Sequence, residues 1–182
     1  SRDEWEACRS SRAGGDPFLS YDFFFLLETS NSVGPKTGWI PFYIIFKEKN
    51  IVVGIIVSFL KNHSQGEYVF DHSWADAYER SGGNYYPKLQ VAVPFTPVSG
   101  ERILVQSEYE DKVGEMISSA KRLVEENNLS SLHITFCSKS FVSIAKKNNL
   151  LVREGIQYHW FNRDYKSFDD FLSSLTYRKS CL

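Results

Sequence analysis

The stretch IPFYIIFKEKNIVVGIIVSFL, residues 40–60, has the clearest strand pattern in this 182-residue chain. Two runs rich in β-branched and aromatic residues, 40–46 and 51–60, flank the polar tetrapeptide Lys47-Glu48-Lys49-Asn50. Such runs favour strands, and a short polar connection between them predicts a β-hairpin. The second run is only about half as long as a membrane-spanning helix, so a buried strand explains it better.

Helix and strand signals alternate around this hairpin. Apolar residues at helical spacing predict helices over residues 17–30, 73–80, 108–127 and 140–148, with a last helix beginning near Ser167. Alternating apolar residues predict strands over 89–95, 132–137 and 155–162. Pro94 cannot donate a ladder hydrogen bond, so the strand that contains it is expected to end there or to lose a partner. The order predicts an α/β fold with a mixed, mostly antiparallel sheet flanked by helices.

Composition argues against a disordered chain and against general electrostatic binding to nucleic acid or membranes. With 42% apolar and 24% charged residues, the chain has the content of a globular domain. The formal charge of −1 gives no global electrostatic reason to bind nucleic acid or an anionic membrane. The three cysteines are far apart and form no C-x-x-C pair, which indicates reduced thiols in a cytoplasmic protein.

Titratable and aromatic residues concentrate in HSQGEYVFDHSWADAYERSGGNYYPKL, residues 63–89. An exposed surface would not need the aromatic rings, and an apolar core would not accommodate the charges. The stretch is therefore expected to line a cleft. Gly82-Gly83 lets the chain reverse after the helix predicted over 73–80.

Long segments resemble the Fem-like family of predicted bacterial N-acyltransferases, which is labelled for peptidoglycan biosynthesis or recognition. The resemblance extends from about Trp5 to Leu175 and is carried by LETSNSVGPKTGWIPFY, KNHSQGEYVFDHSWADAY, NYYPKLQVAVPFTPVSGERIL, SSLHITF and IQYHWFNRDYKSFDDFLSSL. It implies a GNAT-like fold, and residues 1–182 are expected to be one lobe, the N-terminal half of a two-lobe protein. The implied acceptor is an amine, such as a cell-wall precursor, and the implied donor is acyl-CoA or an aminoacyl-tRNA that a second lobe would hold. The competing interpretation is a non-catalytic lobe that recognises a peptidoglycan-like or amino-sugar ligand and is inactive because the second lobe is missing.

Acyl transfer to an amine needs a base for the amine proton and donors for the carbonyl oxygen. Glu67 is the first candidate base, because a pocket walled by Tyr68, Val69 and Phe70 would raise its pKa. The other candidate catalytic residues are Asp71, His63 and Tyr86, and the candidate substrate contacts are Tyr68, Tyr85, Lys88, Arg102, His133 and His159. An equally weighted alternative makes Glu67 and Lys88 an ion pair on a loop.

The histidines have two interpretations as well. His133 and His159 occupy alternate positions of predicted strands, where each either lines a cleft or is a hydrogen-bonded core residue. Neither His63 nor His72 belongs to an H-E-x-x-H or Cys/His cluster, so no metal site is expected.

The segment PVSGERILVQSEYED, residues 97–111, departs from GNAT enzymes that use acyl-CoA. Those enzymes hold the pyrophosphate on a glycine-rich turn at a helix start. Here a single glycine is followed by Glu108, Glu110 and Asp111, and Arg102 is the only nearby cation. We therefore expect no tightly bound cofactor.

Overall fold

The computed structural model describes residues 1–69 and 71–175 of the chain. It divides the chain into two compact units, one over residues 1–152 and one beginning at Arg153. The candidate catalytic residues and both hydrophobic cores lie in the first unit. No helix in the described residues is long and apolar enough to cross a membrane.

The first unit is organised by a long, bent hairpin. Its strands are β1 (Ile40–Pro41), β2 (Ile44–Glu48), β3 (Ile51–Ile56) and β4 (Ser58–Lys61). Strand β2 pairs with β3, and β1 pairs with β4, both antiparallel. Lys49 and Asn50 have φ values of 48° and 69°, as a tight hairpin turn with matching twist requires. The predicted hairpin is confirmed.

The predicted strand over 51–60 is two strands rather than one. Val57 lies between β3 and β4 outside either strand, and the two strands belong to different sheets. At this bend the backbone N–H of Phe42 donates to the Ser58 carbonyl at 2.9 Å, and Ser58 Oγ donates back to the Phe42 carbonyl. This side-chain hydrogen bond stabilises the hairpin at the point where each of its two strands passes from one sheet to the other.

Three further strands complete two sheets. They are β5 (Lys88–Val91), β6 (Ile103–Val105) and β7 (Leu132–Ile134). The three-stranded sheet has the order β2-β3-β6, and the four-stranded sheet has the order β1-β4-β5-β7. Among the strand pairs of residues 1–69 and 71–175, β5–β7 alone is parallel. The expected mixed, mostly antiparallel α/β architecture is confirmed, but with two sheets, and β5 ends ahead of Pro94 as expected.

Helices flank both sheets. The helices of the first unit are α1 (Arg2–Ala13), α2 (Tyr21–Thr29), α3 (His72–Arg80), α4 (Val113–Glu126) and α5 (Lys139–Lys147). Two predicted starts are wrong, because a 3₁₀ turn precedes α2 at Pro17–Leu19 and another precedes α4 at Ser107–Lys112. Helix α1 was not predicted; Ser1 and Glu4 form a capping box at its start.

Two hydrophobic cores lie on opposite faces of the three-stranded sheet. Successive residues of β3 point to opposite faces, so Ile55 joins the core under α1 and α2 while Ile56 joins the core under α4 and α5. Gly54 lets α4 approach closely, since a Cβ atom there would lie 2.5 Å from the Met116 methyl carbon. The sheet is therefore a middle layer between two helical layers.

The four-stranded sheet has one apolar and one largely polar face. Leu60, Leu89 and Leu132 are paired across β4, β5 and β7 and pack in the core under α4 and α5. The alternate positions point to the other face. There Lys61 is paired with Lys88, and a second row consists of Phe59, Gln90 and His133. This polar face positions the candidate site.

The second unit differs from the sequence prediction. No strand occurs among its described residues, 153–175, and the strand predicted over 155–162 is wrong. Ile156, Tyr158 and Trp160 have the expected alternation, yet they are 82%, 95% and 64% exposed. An alternating pattern needs a paired neighbour and a buried face to form a stable strand. Helix α6 (Phe168–Ser173) is present, with the Ser167 side chain as its cap.

Candidate functional site

Lys88 Nζ lies at the centre of a buried polar cluster. It donates to Glu67 Oε2 and Asp71 Oδ2, each at 2.8 Å, and to Ser64 Oγ at 2.9 Å. Lys88 is 0% exposed, while Glu67 and Asp71 are each 4% exposed. The ion-pair interpretation of Glu67 and Lys88 is therefore confirmed, but the pair lies in the interior rather than on an open loop.

Two tyrosines complete this group, which we call the Lys88 cluster: Ser64, Glu67, Asp71, Tyr85, Tyr86 and Lys88. The Tyr85 hydroxyl donates to Asp71 Oδ2 at 2.8 Å. The Tyr86 hydroxyl and Ser64 Oγ share a hydrogen bond of 2.8 Å. The structure thus brings together Glu67, Asp71, Tyr85, Tyr86 and Lys88, while their catalytic and substrate-binding roles stay predictions.

Lys61 is a second buried lysine beside the cluster, and the sequence reasoning missed it. Its Nζ lies 4.0 Å from Glu67 Oε1 and 3.8 Å from the ring centroid of Trp39. The same ammonium donates to the Gln65 carbonyl at 3.2 Å. One sequence signal could have identified it, because Lys61 directly follows the long apolar run 51–60. Lys61 is paired with Lys88 across β4 and β5, so both side chains extend from the same face of the sheet.

The two carboxyl groups have pKa values shifted in opposite directions. Burial raises the pKa of Glu67, and the hydrogen bond from Lys88 only partly offsets this effect. Burial also acts to raise the pKa of Asp71, but hydrogen bonds from Lys88 and its other neighbours outweigh it, so the pKa is lowered. Opposite shifts in neighbouring acids are typical of groups with distinct acid–base roles. Burial and the adjacent Asp71 raise the pKa of the Tyr85 hydroxyl.

Each buried carboxylate keeps one oxygen for a further donor. Within residues 1–69 and 71–175, Glu67 Oε1 and Asp71 Oδ1 accept no hydrogen bond. Buried carboxylate oxygens without donors are costly, so these atoms are suited to receive a proton or a donor group. Within the same residues, no group of three His, Cys, Asp or Glu side chains is arranged to hold a metal ion.

Two histidines lie near the cluster. In the described residues, neither forms a hydrogen bond to it. The His133 ring is 6.0 Å from the Tyr85 ring, and burial with the nearby Lys88 charge lowers its pKa to about 4. His63 Nδ1 accepts from the Gln65 N–H at 3.2 Å, and burial lowers the pKa of this imidazole too. Gly38, at φ 66°, leaves the room that His63 occupies.

Three predicted substrate contacts lie outside this arrangement. Arg102 is 1% exposed and donates to the carbonyls of Val98, Glu101 and Thr135, which disfavours a substrate-binding role because backbone oxygens occupy its N–H groups. Tyr68 is 55% exposed. His159 lies in the second unit, exposed and stacked on Phe161. Phe70, part of the predicted pocket wall, lies outside the described residues.

A shallow aromatic depression adjoins the cluster on the outer surface of α3. Trp74 and Tyr78 are 62% and 51% exposed there. The depression is lined by Ser73, Trp74, Ala77, Tyr78, Ser81 and Tyr85. Tyr85 belongs to both sites, because it lines the depression and its hydroxyl donates to Asp71. One side chain therefore connects the surface with the buried carboxylates.

Comparison with known proteins places the chain in a family. Searches of curated proteins and of solved structures found no match. The FemAB-like family, described as peptidoglycan biosynthesis/recognition, matches residues 1–180. This match covers almost the full sequence and agrees with the resemblance carried by the motifs above. The chain therefore belongs to the FemAB-like family of peptidoglycan biosynthesis/recognition proteins.

Proposed function

We propose that this chain is a GNAT-like lobe of a Fem-like N-acyltransferase, which transfers an acyl or aminoacyl group to the amine of a cell-wall precursor. One observation carries the proposal. Two buried carboxyl groups with oppositely shifted pKa values share Lys88, and Tyr85 connects them to an open depression.

The hydrogen bond from Tyr85 to Asp71 supplies a path for the proton that the attacking amine must lose. In a concerted relay, the amine in the depression transfers its proton to the Tyr85 oxygen while the Tyr85 proton moves to Asp71 Oδ2, so no free tyrosinate forms. Lys88 bonds to both Asp71 and Glu67, so it can release a proton to Glu67 and take one from Asp71. Glu67 is the final acceptor because its pKa is raised.

The depression suits an amine before the reaction. A protonated amine is attracted to the faces of aromatic rings, and Trp74, Tyr78 and Tyr85 line the depression. The negative charge of Asp71 behind Tyr85 adds to this attraction. The acceptor thus arrives as a cation and is deprotonated at the same place.

The acyl donor in this proposal is an aminoacyl-tRNA, held by a second lobe as the family resemblance implies. Acyl-CoA is the less favoured donor. Glu108, Glu110 and Asp111 lie in or beside the 3₁₀ turn before α4, where a CoA pyrophosphate would have to bind. These carboxylates would repel it.

The test is a transfer assay on the chain extended by a relative's second lobe, because the proposal places the donor on that lobe. The assay supplies aminoacyl-tRNA or acetyl-CoA and an amine-bearing peptidoglycan precursor, and mass spectrometry detects the product. Tyr85→Phe and Asp71→Asn should each lower the rate by about 10²-fold or more, because each removes a step of proton transfer. Tyr109→Phe, a tyrosine on the 3₁₀ turn before α4, is the matched control and should retain the wild-type rate. Equal rates in wild type and Tyr85→Phe would contradict the proposed path.

A ligand-recognition lobe without catalysis is the second candidate, and the exposure of Trp74 and Tyr78 favours it. Aromatic faces bind the apolar faces of sugar rings, and Ser73 and Ser81 offer hydroxyls beside them. In that case Trp74→Ala should abolish binding of an amino-sugar fragment in NMR titrations, while Asp71→Asn should leave binding unchanged and no precursor should be modified.

A further inference from the structure

We propose that Lys61 is a positioning residue that controls the charge of Glu67 and thereby the proton affinity of the Lys88 cluster. Its meaning for catalysis rests on the proposed acyl transfer, whereas its effect on Glu67 does not. The proposal stands on three features of Lys61: its contact with Glu67, its contact with the loop backbone, and its share in the charge balance.

The first feature is that two lysines contact Glu67 through different oxygens. Lys88 Nζ is 2.8 Å from Oε2, and Lys61 Nζ is 4.0 Å from Oε1. The two lysines are directly paired in the β4–β5 register, so their side chains leave the sheet side by side. Both are 0% exposed, which means that no bulk water screens their charges from Glu67.

The second feature is a clamp on the backbone just before Glu67. The Gln65 carbonyl accepts hydrogen bonds from Lys61 Nζ at 3.2 Å and from the Trp39 indole at 3.1 Å. Gly66, at φ 77°, passes so close to Trp39 and Phe95 that a Cβ atom would lie 2.7 Å from the Phe95 ring. Lys61 therefore fixes the main chain two residues before the carboxylate that it faces.

The third feature is charge. Lys61 and Lys88 carry two positive charges, and Glu67 and Asp71 carry two negative charges, so the buried group is neutral only with Lys61 included. Without Lys61, one buried carboxylate is uncompensated. Such a group responds by binding a proton, so the pKa of Glu67 rises.

The other titratable groups around this pair are few. Asp71, Tyr85 and Tyr86 belong to the Lys88 cluster itself. His133 lies beside Tyr85, and His63 follows Lys61 on the loop. Burial lowers the pKa of Lys61 to about 8; the Glu67 charge opposes this effect and the Lys88 charge adds to it. The charge of Lys61 is therefore adjustable near neutral pH.

The test follows the Glu67 carboxyl carbon by NMR in the whole chain, with its resonance identified by its loss in Glu67→Gln. In Lys61→Met, which keeps the length and the contact with Trp39, the titration midpoint of Glu67 should rise by about one pH unit. Lys61→Arg restores the charge and should restore the midpoint. Lys146→Met, at an exposed position of α5, is the control and should not move it.

An unchanged Glu67 midpoint in folded Lys61→Met would overturn the proposal and leave Lys61 as packing for Trp39. If Lys61→Met does not fold, Lys61→Gln takes its place with the same two outcomes. The readout needs no turnover. A shifted midpoint, in a protein that shows no transferase activity even when a second lobe is supplied, supports this inference and counts against acyl transfer. In an active protein, the acid limb of the pH–rate profile should shift by the same amount in Lys61→Met.

Discussion

At the scale of single residues, Lys88 shows how a buried charge is made tolerable. Desolvation of an ammonium group is costly, and the cost is offset only when all of its N–H donors are satisfied. Lys88 has three donors and three oxygen acceptors at 2.8 to 2.9 Å. Removal of any one partner would leave a buried group unsatisfied, so the cluster is stable only as a whole.

His133 leads to a prediction about acid stability. Its folded pKa of about 4 lies below the ordinary value of 6.5, so on acidification the unfolded chain binds the proton first. Stability should therefore fall as the pH decreases from 6.5 to 4, by at most about 3 kcal/mol from this residue. Urea unfolding of wild type and His133→Asn at pH 7 and pH 4.5 measures it. The variant should lose less stability than wild type between the two pH values; an equal loss would show that other groups dominate.

At the scale of elements, β5 contributes to both the apolar core and the polar site, because successive side chains of a strand point to opposite faces. Leu89 and Val91 belong to the core under α4 and α5, while Lys88 and Gln90 extend from the opposite face. A one-residue slip in the register would exchange the two sets and bury both polar side chains in the apolar core. The apolar residues of β5 thus hold Lys88 in place.

The start of α4 leads to a prediction about the donor. The helix begins at Val113, and the preceding 3₁₀ turn carries Glu108 and Glu110. We expect calorimetry with acetyl-CoA to show no binding in the low-micromolar range, because carboxylates lie where the pyrophosphate would bind. Replacing Glu108, Glu110 and Asp111 by Ser should strengthen any residual binding. Low-micromolar binding by wild type that is lost in Arg102→Gln would contradict this interpretation.

At the scale of the whole molecule, both hydrophobic cores lie in the first unit. Within the part of the chain that the structure describes, every core residue lies between positions 5 and 150. We therefore expect a chain cut after Val152 to unfold cooperatively, with a midpoint close to that of the full chain. Thermal unfolding followed by circular dichroism tests this. A non-cooperative transition would mean that residues from Arg153 onward stabilise the first unit.

Local patterns in the sequence were sufficient to predict many of the helices, strands and turns of this protein. The hairpin turn, α3, α5 and the end of β5 before Pro94 follow from residues a few positions apart, because turn chemistry and helical periodicity act over that distance. The shared position of Glu67, Asp71 and Lys88 was also expected from their concentration in one stretch. Helix α1 escaped prediction because its buried apolar residues, Trp5, Cys8 and Ala13, are sparse.

Other features of the fold and of the site depend on contacts between residues that are distant in the sequence. The contacts of Lys88 with Asp71 and Glu67 span 17 and 21 residues, and whether such a pair is exposed or buried depends on the sheet beneath it. The bend at Val57, the contact of Lys61 with Trp39 and the backbone bonds of Arg102 have no local signature either. Conversely, residues 155–162 have the alternating pattern of a strand and yet form none, because a strand also needs a neighbouring strand to pair with. Sequence pattern determines which conformation a segment favours, but strand pairing and charge burial depend on partners that only the folded chain brings near.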